Sequence, residues 1–257
     1  MDLGRLEYIR KERFMKDKIE ILALSNFLKS VWLNGTINEC ILKVKDGNCT
    51  INAIDATNSI FIKATAKIEL SNIEIGILDL GSIIRVLDSC KDRSYLLYKI
   101  DDKTINFKIK KKGDVQFTLG KINVISSAVK DDLKKINDIV ESKTLLIFKL
   151  SQGVVDNFKY FMKLFNSEVV TIEIFQGKIK IKGGFQEIKA FSFDVDSGNI
   201  NKDIAILVNA KLLLSIFDLL PIEEDKTCAM GFEKDSPLII KSRNATWLLS
   251  SITNDKQ

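Results

Sequence analysis

Residues 144–194, TLLIFKLSQGVVDNFKYFMKLFNSEVVTIEIFQGKIKIKGGFQEIKAFSFD, change hydrophobic period twice. Thr144–Leu150 is a short apolar run, as expected of a strand. From Gln152 to Phe165 the apolar residues Val154, Val155, Phe158, Phe161 and Met162 recur at helical spacing and make one stripe. After Phe165 the period falls to two, predicting strands at Val169–Phe175, Lys178–Gly183 and Ile188–Asp194. One strand, one helix and a three-strand meander is an α+β unit, and the helix must cover one face of the sheet.

The same order is legible three more times. In the first half, strand Ile19–Ala23 precedes a helix at Ser25–Leu33, with Ser25 or Asn26 as N-cap. Strands Cys40–Val44, Cys49–Ile54 and Ser59–Ile68 follow. Strand Glu74–Leu78 leads to helix Gly81–Cys90 and then to strands Tyr95–Ile100, Thr104–Ile109 and Val115–Leu119. In the second half, strand Ile204–Val208 enters helix Ala210–Leu220, ended by Pro221. Its apolar stripe is Leu212, Leu213, Ile216, Phe217 and Leu220. Strands Thr227–Phe232, Pro237–Ser242 and Thr246–Ile252 follow. Four β-α-β-β-β units thus form two similar domains, 16–120 and 143–257, with an extension at 1–15. Residues 121–142 read as a connector crossing a surface, or as a short amphipathic helix from Ser127 to Val140.

Composition narrows the function. The 257 residues are 46% hydrophobic and 28% charged, with 39 Lys plus Arg against 34 Asp plus Glu, a net charge of +5. Such a chain folds into a globular core. There is no histidine, which removes His-dependent nucleophilic, acid–base and metal sites. Cys40, Cys49, Cys90 and Cys228 include no CxxC pair, so neither zinc nor a disulfide framework is expected. The first residues are charged, without the apolar core of a secretory signal, and no apolar run is long enough to span a membrane. An intracellular, non-enzymatic binding protein without cofactor or metal is the expectation.

Several local patterns, in order, resemble the DNA sliding clamps of the proliferating cell nuclear antigen and T-even phage type. The run AIDATNSIFI (Ala53–Ile62) is similar to the clamp segment in which Asp and small residues precede a strand. LGSIIRVLDSC resembles the second clamp helix, with Arg85 at its basic position. VNAKLLLSIFDLLP and KTCAMGFEKDSPLIIKSRNATWLLSSI resemble the last helix and the closing strands. The resemblance spans roughly Lys16 to Thr253 and suggests a divergent viral or phage member.

The resemblance implies a processivity-clamp fold with helices on one side and antiparallel sheets on the other. It implies head-to-tail assembly, usually as a homotrimer, around duplex DNA bound without sequence preference. It also implies tethering of DNA polymerase and other replication proteins, and loading by a clamp-loader ATPase. Sliding calls for dispersed cations rather than base-reading contacts. The candidate channel residues are Lys29, Arg85, Lys91, Lys159, Lys163 and Lys211, and the run Lys108–Lys112 adds to the field. Asp88, Asp156 and Asp218 lie on or beside the same helices, and each lysine alone is also ordinary solvated surface. The subunit joint is expected at two strand edges, through Val115, Phe117 and Leu119 in one half and Ile188, Phe191 and Phe193 in the other. Such edges can instead be covered by their own loops. A partner-peptide pocket is expected at Ile54, Phe61, Pro237, Leu248, Leu249 and Ser250, with Val124–Val129 as its rim. Ile54, Phe61 and Leu249 read equally as core. The alternative function is a monomeric or heteromeric clamp-like scaffold holding DNA by a basic face.

Other signals are weaker. DVDSGN (Asp194–Asn199) lacks the distal Glu of a calcium loop and reads as a turn. Gly183-Gly184 reads as a bulge, and Glu223-Glu224-Asp225 as a solvated loop. In the extension at 1–15, either Met15 is the functional start and residues 1–14 are not part of the working protein, or Leu3, Leu6, Ile9 and Arg10 form one helical stripe that docks on the ring or a partner.

Overall fold

The computed structural model describes residues 17–101, 103–109, 113–122, 125, 146–175, 178–185, 189–195, 203–222, 228–233 and 236–252. The 1–15 extension, most of the 121–142 connector and the 223–225 loop lie outside these residues. Two compact units result: 1–53 with 63–130, and 54–62 with 131–257.

The first unit contains β1 (Asp17–Glu20), α1 (Ile21–Trp32), β2 (Cys40–Lys45), β3 (Asn48–Ile54) and β4 (Ile60–Lys67), then β5 (Ile73–Ile77), α2 (Leu80–Asp88), β6 (Tyr95–Ile100), β7 (Thr104–Ile109) and β8 (Gly113–Gly120). The ends of β3 and β4 fall in the segment grouped with the second unit. Strand order runs β1-β6-β7-β8-β5-β2-β3, with neighbours antiparallel. The second unit contains β9 (Leu146–Lys149), α3 (Gln152–Phe165), β10 (Val169–Phe175), β11 (Lys178–Phe185) and β12 (Lys189–Val195). It continues with β13 (Ile204–Asn209), α4 (Ala210–Leu219), β14 (Ala229–Phe232), β15 (Leu238–Lys241) and β16 (Ala245–Leu249). Its strands form β16-β15-β14-β9 and a sheet β12-β11-β10-β13. The element order is the fourfold β-α-β-β-β expected from the sequence.

Within each unit two helices pack together. Ile21, Leu24, Phe27, Leu28 and Val31 of α1 and Leu80, Ile83, Ile84 and Leu87 of α2 are buried. Val154, Val155, Phe158 and Met162 of α3 and Leu213, Ile216 and Phe217 of α4 are their counterparts. The Phe158 and Phe217 rings meet edge to face at 5.2 Å. Helix α3 begins at Ser151, whose side chain accepts from the Val154 N–H, and α4 at Asn209, which accepts from Lys211 and Leu212. Asp79 caps α2 by accepting from the Ser82 N–H. These are oxygen caps of the preferred types.

Two local expectations are corrected. Ile21–Ala23 begin α1 rather than extending the strand, and neither Ser25 nor Asn26 caps it. The four contiguous apolar residues Ile21–Leu24 have no period that separates strand from helix, and the actual N-cap, Glu20, makes no side-chain cap bond. Ser25 is buried and bonds Asp88 across the helix pair. Gly183 and Gly184 are not bulged: they pair with Phe191 and Ala190 in unbroken register. A close approach does require glycine at Gly76 and Gly120, which pair across β5 and β8. A Cβ on Gly76 would come within 2.7 Å of Ile125 Cδ1 and 2.8 Å of the Gly120 carbonyl oxygen.

Candidate functional site

Three surfaces concentrate the candidate residues. The first is the exposed side of the helix pairs. In the first unit, Lys29 Nζ lies 2.7 Å from Asp88 Oδ1, linking α1 to α2. The Ser25 hydroxyl donates to the same oxygen at 3.0 Å. Burial pushes the Asp88 carboxyl up. Hydrogen bonds from Lys29 and Ser25, with the charges of Lys29 and Lys91, outweigh it and leave the group below the ordinary carboxylate value. In the second unit, Lys159 Nζ lies 2.9 Å from Asp218 Oδ1, linking α3 to α4. One residue offset relates Lys29 to Lys159 and Asp88 to Asp218, so the ion pair recurs at equivalent places. The other candidates differ. Arg85, Lys91, Lys163 and Lys211 are exposed, and among the described residues none has a carboxylate at ion-pair distance. Arg85 donates to the Ser82 hydroxyl at 2.6 Å. Asp156 accepts from Gln152 at 2.8 Å. Lys110–Lys112 lie outside the described residues.

The second surface comprises two strand edges. β8 pairs with β7 throughout, but with β5 only at Ile77↔Leu119 and Gly76↔Gly120. Residues 113–118 therefore have a partner on one side only among the described residues. Val115, Phe117 and Leu119 alternate with exposed neighbours and are half-buried, and Phe117 packs edge to face on Phe107 at 6.1 Å. Beside this edge a groove of about 280 Å³ is lined by Ile77, Leu78, Ile83, Phe117 and Leu119 together with the polar Asp79, Gln116 and Thr118. In the second unit β12 is the terminal strand of its sheet. It carries Phe191 and Phe193; Ile188 falls outside the described residues. Helix α3 packs on β12 and presents Tyr160 and Leu164, 59% and 57% exposed, with Phe161 in ring contact with Tyr160. The sequence shows α3 with a single apolar stripe. The i, i+4 pair Tyr160 and Leu164 on its other side was the available signal.

The third surface surrounds the 55–59 loop. Asp55 is buried and its carboxylate accepts from the Thr57 N–H (3.2 Å), the Thr57 hydroxyl and the Ile60 N–H (2.8 Å). This fixes the loop as a turn. The chain after β16 is bonded to it: Ser250 donates from its N–H to the Ser59 carbonyl at 2.9 Å and from its hydroxyl to the Asn58 carbonyl at 3.0 Å. Of the six pocket candidates, Phe61, Leu248 and Leu249 are buried core, Ile54 and Pro237 are half-buried, and Ser250 is exposed. The 124–129 rim lies outside the described residues except for residue 125.

Burial pushes the Cys40 thiol up to about 12 and Cys49 to about 11, and all four cysteines are free and buried. Among the described residues no group of three or more Cys, Asp or Glu is placed to hold a metal, and no helix is long and apolar enough to cross a membrane.

The α+β architecture is the fold of the sliding clamps. Over 93% of this chain and 98% of the other, it matches A. fulgidus PCNA bound to the C-terminal region of FEN-1, with TM-score 0.67 and 10% identity. It matches PCNA of Thermococcus kodakaraensis over 92% and 100%, with TM-score 0.66 and 12% identity. A chain of the PCNA2–PCNA3 complex of Sulfolobus tokodaii matches over 91% and 98%, with TM-score 0.64 and 14% identity. No protein-family model and no curated protein sequence matches the chain.

Proposed function

We propose that this chain is a DNA sliding clamp: a non-enzymatic processivity factor that assembles head to tail into a ring, encircles duplex DNA and tethers DNA polymerase and other replication proteins. In this reading residues 16–120 and 143–257 are the two clamp domains and 121–142 connects them. A clamp-loader ATPase opens the ring, and the protein acts inside the cell where DNA is copied. The observation that carries the reading is the clamp fold over more than nine-tenths of the chain, accompanied by one incompletely paired strand edge in each unit. An edge with unpaired N–H and C=O groups invites another strand. Joining unlike edges, β8 to β12, is heterologous and closes a ring where the rotation permits. The exposed Tyr160 and Leu164 beside β12 and the partly apolar groove beside β8 support such a joint.

Duplex DNA would meet the helix cations, which bind phosphates without reading sequence. Partner peptides would dock over Ile54, Pro237 and Ser250, the half-buried and exposed members of the candidate set, with Phe61, Leu248 and Leu249 in the core beneath. The FEN-1 segment held by the A. fulgidus relative supports a role in peptide capture. A second reading, membership in a ring of unlike chains, is supported by the PCNA2–PCNA3 relative.

Light scattering over a dilution series at two salt concentrations tests the assembly. Three copies of 29.0 kDa give about 87 kDa, and persistence of that mass on dilution is the expected result. A mass near 29.0 kDa at every concentration would overturn the homomeric ring and leave a heteromeric ring or a monomeric factor.

A further inference from the structure

The candidate cations on and beside the helices are not equivalent. Lys29 and Lys159 each carry a carboxylate at contact distance, whereas Lys163, Lys211, Lys91 and Arg85 are exposed without one among the described residues. The carboxylates come from the partner helix of each pair, not from the lysine's own helix. Both halves of the chain repeat the arrangement with the same two residue types. Asp88 is further held by the Ser25 hydroxyl, which aims the carboxylate at Lys29 rather than at solvent.

We propose that Asp88 and Asp218 are internal counter-charges that withhold Lys29 and Lys159 from the nucleic-acid backbone, so that the duplex is held by fewer cations than the helices display. This rests on the DNA-encircling reading. An ammonium already paired with a carboxylate brings no net charge to a phosphate, and the same carboxylate repels the phosphate. Such a lysine releases no counterion on binding and adds nothing to the salt dependence. Asp88 and Asp218 are then positioning residues that lower affinity. Fewer phosphate contacts mean lower barriers between neighbouring positions along the duplex, which is what a sliding protein requires.

The test compares the full-length protein with two double variants carrying the same change in net charge. Asp88→Asn with Asp218→Asn releases the two helix lysines. Glu74→Gln with Glu173→Gln releases Lys43 and Lys182, which pair with those residues on strands. Binding to a short linear duplex, whose free ends let a ring thread on without a loader, is followed by fluorescence anisotropy across a salt series. The logarithmic salt slope steepens by about 0.9 for each released lysine that reaches a phosphate. The Asp variant is therefore expected to steepen by about one to two per chain and the Glu variant to keep the wild-type slope. Equal slopes in the two variants, or an unchanged slope in the Asp variant, overturn the counter-charge assignment while leaving the DNA reading intact. Absence of binding by wild type and Asp variant alike overturns the DNA reading and this inference together. Binding gained by the Asp variant alone supports the inference. Thermal melts accompany each variant. Should the Asp88 change unfold the first unit, Asp218→Asn alone carries the test, since Asp218 is 46% exposed against 33% for Asp88.

Discussion

Replacing Gln116 by proline removes one backbone donor from the open edge of β8 and leaves the rest of the strand in place. The direction of each N–H follows from the register. The Leu119 N–H donates to the Lys103 carbonyl at 2.7 Å, toward the β7 side. N–H directions alternate along an antiparallel strand, so Val115 and Phe117 also point toward β7 while Asp114, Gln116 and Thr118 point outward. Gln116 is exposed, and an edge strand accepts proline where its N–H faces away from the ladder. In a joint with β12 of a second copy, the lost donor leaves a carbonyl unsatisfied at a cost of about 1–3 kcal/mol. That corresponds to a weakening of about 5- to 150-fold at each contact. Light scattering over a dilution series reads the effect as dissociation at higher protein concentration, with the melting temperature of the monomer unchanged. Gln116→Ala keeps the backbone donor and is expected to assemble as wild type does. If Gln116→Pro assembles at wild-type concentrations with its fold intact, the outward backbone of β8 is not the joint.

Asp79→Ala removes the α2 cap and is expected to cost about 1 kcal/mol at neutral pH, within the usual range of about 0.5–2, measured by urea unfolding. Hydrogen bonds from the Ser82 side chain and N–H hold the Asp79 carboxyl below its ordinary 3.8, against desolvation and helped by Arg85. A depressed folded value contributes stability that is full above the unfolded pKa and lost as pH falls through the folded one. The wild-type advantage is thus expected above about pH 4 and to shrink below it; an advantage that grows on acidification would contradict the cap. Thiol titration gives another check. With Cys40 near 12 and Cys49 near 11, neither is a thiolate at pH 8, so native protein should react with a disulfide reagent only on unfolding, when all four cysteines become available. Rapid reaction of the native protein would show that these thiols are not buried.

What was legible in the sequence was what short-range physics decides. The bounds of α3 are visible because Ser151 caps it, a helical stripe fills it and Asn166, in the left-handed region, ends it. The start of α1 was not visible, because Ile21–Leu24 is apolar without period and Glu20 makes no cap bond. Ser25 looked like a cap and is instead a buried partner of Asp88. The basic residues of the helices could be picked out by type and spacing. Their partners could not, since Lys29 and Asp88 are separated by 59 residues and only the packing of α1 on α2 joins them. Likewise Phe61, Leu248 and Leu249 look the same in sequence whether they floor a groove or fill a core, and burial assigns them to the core.

Net charge is therefore a poor guide to what the helices offer a phosphate. The chain's +5 sums cations on strands, loops and helices alike, and a ligand feels only those within about a Debye length, roughly 8–10 Å. Five of the six candidate cations lie on helices and Lys91 just past the end of α2; two of the five, Lys29 and Lys159, are matched by carboxylates of the neighbouring helix. The excess presented there depends on which side chains packing brings together rather than on their total. Because the match occurs once in each unit, any symmetric assembly multiplies it, and the count of available cations scales with the number of copies. Substituting Asp88 then alters the first unit of every copy, and substituting Asp218 the second, so carboxylates placed by helix packing change the charge that the helices present as directly as the lysines do.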